Sequence, residues 1–71
     1  MNLNKTNPEV LITLQTMMEV AAQNDLKTSW VLEEVLTEFP TVTRVEFRQS
    51  AEAAGINGLT ARNVFDRVTK K

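Results

Sequence analysis

Glu33, Glu34 and Glu38 are the only clustered carboxylates in the chain, and paired acids can divide proton donation and acceptance when a pocket separates their pKa values. Adjacent glutamates on a helix point in different directions, however, so a solvated face accounts for all three without chemistry. The sequence holds no cysteine and no histidine, which removes thiolate nucleophiles, Ser-His-Asp relays and ordinary zinc sites. Its two glycines, Gly55 and Gly58, are too few for a phosphate-cradling loop. The residues therefore point away from enzymes: no catalytic group, cofactor, metal or small-molecule substrate is expected.

Charge is the next carrier of chemistry. The net charge of -1 looks unsuited to a polyanionic partner until it is divided along the chain. Residues 1–42 set Lys5 and Lys27 against Glu9, Glu19, Asp25, Glu33, Glu34 and Glu38, a net of -4. Residues 43–71 set Arg44, Arg48, Arg62, Arg67, Lys70 and Lys71 against Glu46, Glu52 and Asp66, a net of +3. An acidic half joined to a basic half suggests that only the second would face phosphates.

The elements that must position these residues are helical. With 71 residues, 42% of them hydrophobic and 24% charged, the chain makes one domain and is too apolar to stay disordered. Asn7-Pro8-Glu9 supplies a cap, a proline for the first helical position and an acid at the positive end of the dipole. Val10, Leu11, Leu14, Met17, Met18 and Ala21 then recur at three- and four-residue spacings, predicting a helix over about 8–23. Asp25 or Ser29 can cap a second helix over about 26–38, with Trp30, Val31, Val35, Leu36 and Phe39 on its apolar side and Pro40 as its stop. Thr43 and Glu46 fit a capping box, and Val42 with Phe47 a hydrophobic staple, for a third helix over about 43–54. Gly55 ends it, and Asn57 can cap a fourth over about 58–69, where Ala61, Val64, Phe65 and Val68 share one face. The fold class that follows is all-α, a small four-helix domain.

The last two helices are separated only by Gly55-Ile56-Asn57, the tight glycine-containing turn that a helix-turn-helix needs. The segment FRQSAEAAGINGLTARNVFDRV, residues 47–68, resembles helix-turn-helix and winged-helix DNA-binding regulators. Ala51 stands four before the glycine, Ile56 directly after it, and Ala61 and Val64 inside the second helix. Small residues there let two helix backbones approach closely while Ile56 and Val64 fill the angle between them. The resemblance covers residues 43–71 in a form without a wing. It implies that the fourth helix reads double-stranded DNA in the major groove, with Asn57, Leu59, Thr60, Arg62 and Asn63 toward base edges. Thr43, Arg44, Arg48, Arg67, Lys70 and Lys71 would then meet phosphates, which fix register without choosing sequence.

The implied protein is a small transcriptional regulator of the kind a phage, plasmid or bacterium encodes. The competing expectation is a protein-interaction module, an inhibitor or adaptor that docks its acidic or Met-rich helices on a larger host protein. In either case the first helix is more apolar than a small domain requires, so Leu11, Leu14, Met17 and Met18 form the expected homodimer or partner face. No run approaches the roughly 18 apolar residues that span a bilayer, and the start lacks a signal-peptide layout. A cytoplasmic protein without membrane contact is expected.

Overall fold

Asn7, Thr43 and Asn57 each turn a side-chain oxygen onto the free amides of a helix start, and they begin three of the four helices in the computed structural model, which describes residues 5–70. Asn7 Oδ1 accepts from the Glu9 and Val10 amides at 3.0 and 3.4 Å and opens α1, Pro8–Gln23. Thr43 Oγ1 accepts from the Glu46 amide at 3.2 Å while Glu46 Oε1 takes the Thr43 amide at 3.1 Å, a complete capping box for α3, Arg44–Ala53. Asn57 Oδ1 accepts from the Leu59 and Thr60 amides at 2.8 and 3.3 Å and opens α4, Gly58–Thr69.

The remaining helix, α2, runs Thr28–Glu38 and departs from expectation. Neither Asp25 nor Ser29 caps it: Lys27 occupies the cap position and makes no side-chain bond to the helix amides. Burial holds this helix instead, because Val31, Leu32, Val35 and Leu36 all lie in the core. Asp25 serves the end of α1, with φ of +55° in the left-handed region. The Leu26 N–H there donates to the Ala21 carbonyl at 2.8 Å, the long bond of a Schellman closure. The end of α3 repeats this geometry, with Gly55 at φ +87° and the Ile56 N–H donating to the Ala51 carbonyl at 2.8 Å.

Each four-residue joint folds two helices into a hairpin, α1 on α2 and α3 on α4, and the hairpins pack as α1 on α3 and α2 on α4. No strand occurs among the described residues, and the domain is all-α. The core between the hairpins draws on all four helices: Val10, Leu14 and Ala21; the four buried residues of α2; Phe47 and Ala51; Ala61 and Val64. Ile56 adds the joint to this core, and Val42, Trp30, Met17 and Met18 pack on its edge. Phe47 and Phe65 meet at 5.9 Å between ring centroids, tilted by 41°, within the range favoured by aromatic pairs.

One polar side chain is buried among the described residues, and it has a partner. Ser50 Oγ accepts the Asn7 amide at 2.9 Å, so α3 fixes the chain where α1 begins. The Lys5 amide donates to Gln49 Oε1 one residue away. No helix among the described residues is long and apolar enough to cross a membrane.

Candidate nucleic-acid interface

The packing of α4 decides which of its residues can reach a ligand. Ala61 and Val64 are buried against the rest of the domain, with Phe65 and Val68 partly so. At 100° per residue the opposite side of α4 is Leu59, Arg62, Asn63 and Asp66, one continuous stripe, with Lys70 following at the C-cap. Leu59 is 61% exposed, and Thr60, Arg62, Asn63 and Lys70 are exposed as well. A helix of twelve residues is about 18 Å long, and a bare helix fits the roughly 12 Å width of a DNA major groove.

The expected base-edge residues therefore sit together at the start and middle of α4, but they are not equally free. Asn57 is exposed, yet its Oδ1 is committed to the Leu59 and Thr60 amides, so only its amide nitrogen can face outward as a donor. Leu59, Thr60, Arg62 and Asn63 have their side chains at the surface.

The expected phosphate residues divide into two groups. Arg44, Arg48, Arg67 and Lys70 are exposed, as is Thr43. Arg44 Nη2 lies 2.8 Å from Asp66 Oδ1, and Arg62 Nε 3.9 Å from Asp66 Oδ2. Arg67 is paired with Glu33 of α2. Among the described residues Arg48 and Lys70 have no acidic partner. Lys71 lies outside the described residues. Asp66 is already counted in the net +3 of this half and is shared by two arginines, so only the pairing of Arg67 with Glu33 draws on the acidic half, and an excess of +2 remains.

Carboxylates also stand at the helix starts that would meet phosphate. Glu46 closes the capping box at the first turn of α3. Glu52 lies against Gly58 so closely that a Cβ there would collide with its carboxylate. Thr43 is accordingly held as a cap, its hydroxyl donating to Glu46 Oε1 at 3.1 Å.

The expected partner face on α1 is largely consumed by the fold. Leu14 is 0% exposed, filling the space between the hairpins, and so is not available to a second chain. Leu11, Met17 and Met18 are partly buried, and the Met residues pack on the core. The large apolar residues exposed on the first hairpin are Ile12, Val20 and Leu26, with Met18, Ala22 and Leu26 rimming a shallow dimple between α1 and α2. Of the acidic cluster, Glu33 turns to Arg67 while Glu34 and Glu38 remain exposed. Among the described residues no group of acids converges as metal ligands would.

The ion pairs between helices were beyond sequence reasoning. The i,i+4 spacing of Arg62 and Asp66 is visible in the chain, but nothing in the spacing of Arg44 and Asp66, or of Glu33 and Arg67, brings those residues together. No protein-family model, curated protein or solved structure matches this chain.

Proposed function

We propose that this protein binds double-stranded DNA through α4 and acts as a small helix-turn-helix transcriptional regulator. One observation carries the reading: the outward stripe of α4 bears Arg62 at one edge and Asn63 at the other, both exposed, on a helix held to α3 by a four-residue joint. Arginine can grip guanine and asparagine adenine through two hydrogen bonds each, and exposed Leu59 and Thr60 suit thymine methyl groups. Exposed Arg48 and Lys70 supply phosphate attraction, while the acid-paired arginines must exchange one partner for another. Binding should consequently be selective rather than strongly electrostatic.

The test is an amide NMR titration with a mixed-sequence duplex of about 20 base pairs at low and physiological salt. Shifts confined to 43–48 and 57–70 are expected, with log affinity falling against log salt at a slope of about -2, that is about -0.9 for each of two unpaired cations. Absence of any shift at low salt would remove the reading.

A second reading, a protein-interaction module, has its own observation. Exposed Leu26 beside Met18 and Ala22 offers a small apolar patch between α1 and α2, and Glu34 and Glu38 are exposed on α2 itself. A stoichiometric protein partner that survives nuclease treatment, together with an unshifted α4, would favour it.

A further inference from the structure

Asp66 sits in the middle of the α4 stripe, where an anion should repel DNA, and its two oxygens are used differently. Oδ1 is shielded from solvent and lies 2.8 Å from Arg44 Nη2, close but not aligned as a hydrogen bond. Oδ2 lies 3.9 Å from Arg62 Nε, an i,i+4 ion pair longer than a hydrogen bond. A guanidinium has five N–H donors in a fixed fork. When a carboxylate occupies the Nε edge, the two terminal nitrogens remain free and point along the side chain's long axis.

We propose that Asp66 is a positioning residue: its charge draws the Nε edge of Arg62 toward it so that the Nη1/Nη2 fork is presented to guanine O6 and N7, and the Arg44 guanidinium at the start of α3 keeps the carboxylate in place. The proposal rests on the DNA reading of α4 and assigns a base chemistry to it. It also changes the role of Arg44 from phosphate contact to support. A flexible arginine loses rotamer freedom when it binds, so one biased toward the reading rotamer by a neighbouring charge reads its base at less entropic cost. The carboxylate meanwhile weakens attraction to phosphates at large, so that contact with the correct base becomes a larger share of total affinity.

The experiment is selection of bound duplexes from a random pool by the wild-type protein, Asp66→Asn, Arg62→Lys and Arg44→Gln, with affinities measured on the selected site and on an unrelated duplex. In the free protein, the Arg62 Nε–H signal is followed by NMR in wild type and Asp66→Asn. Wild type should demand guanine at one base pair. Asp66→Asn should weaken that demand about two- to fivefold, the worth of an exposed ion pair, since Arg62 itself remains, while binding the unrelated duplex more tightly. The Arg62 Nε–H should exchange faster in Asp66→Asn. Arg44→Gln should relax the same base pair, whereas a phosphate role would weaken every duplex alike.

An Asp66→Asn protein that keeps its full guanine preference, or a wild type with none, overturns the proposal while leaving DNA binding intact. A wild type that binds no duplex at low salt overturns the DNA reading and the proposal together. Should Asp66→Asn fail to fold, Arg44→Gln decides, because it removes the support of Asp66 without touching Arg62: a full guanine preference retained there is equally fatal.

Discussion

The joints at 24–27 and 54–57 have the same length and the same closure but different sequences. In both, a buried alanine, Ala21 or Ala51, accepts a 2.8 Å bond from the amide five residues on, and the residue before that donor is in the left-handed region. The second joint uses glycine for that conformation, buries Ile56 to 6% exposure and caps the next helix with Asn57. The first uses Asp25, leaves Leu26 42% exposed and begins α2 at an uncapped Lys27. Two stretches of chain have thus reached one backbone solution, and only at the second are local chemistry and packing both aligned with it. The better-specified joint is the one that carries the candidate recognition helix, where a small change in angle would displace Arg62 and Asn63 together.

The largest difference between the joints should lie in their apolar residues. Ile56→Ala removes a side chain from the core and should cost about 2–4 kcal/mol. Leu26→Ala, at a half-open site, should cost about 1 kcal/mol or less. Urea unfolding of the two variants measures this directly. Equal losses would mean that the first joint packs as tightly as the second, and would end the comparison.

Backbone conformation gives a smaller effect of opposite sign at the two sites. Gly55→Ala places a Cβ in the left-handed region with nothing within 4 Å of it, so its cost should be purely conformational, about 1 kcal/mol. Asp25→Gly relieves the same strain and should stabilise by up to about 1 kcal/mol, less because aspartate tolerates this region better than most residues. In a domain this small, 1 kcal/mol moves the thermal midpoint by about 4–8 °C, so calorimetry resolves both. A destabilised Asp25→Gly would show that the Asp25 side chain contributes more than its backbone costs.

The same contrast explains what could be read from the chain. Helices α1 and α4 were legible to the residue because Asn7-Pro8 and Asn57 mark their starts with chemistry that acts within three positions. The capping box at Thr43 and Glu46 was legible for the same reason, and so was the outward direction of Leu59, Arg62 and Asn63, which follows from helical period. The start of α2 was not, since Lys27 supplies no local signal and packing of Val31 and Leu32 decides where the helix begins. Aspartate in the left-handed position disguised the first joint, because Asp25 reads equally well as a cap for the helix that follows. In the candidate site, exposure was legible but electrostatics was not. Whether Arg44 and Arg67 are free cations depends on Asp66 and Glu33, which only the docking of one helix on another brings within reach.

The smallest expected effect tests whether the uncapped start of α2 is a real weakness. Lys27 places a cation at the positive end of a helix and leaves its first amides without a side-chain acceptor. Lys27→Asp reverses both terms, and its cap position already has the extended backbone, φ -84° and ψ 156°, that a capping side chain requires. A gain of about 0.5–1 kcal/mol in urea unfolding is expected, with slower amide exchange in the first turn of α2. Asn57→Ala, the mirror experiment, should lose about 1 kcal/mol by uncovering the Leu59 and Thr60 amides. If Lys27→Asp gains nothing while Asn57→Ala loses its share, the start of α2 is fixed by core packing so firmly that capping adds no free energy there, and the two joints differ in what holds them rather than in how well they are held.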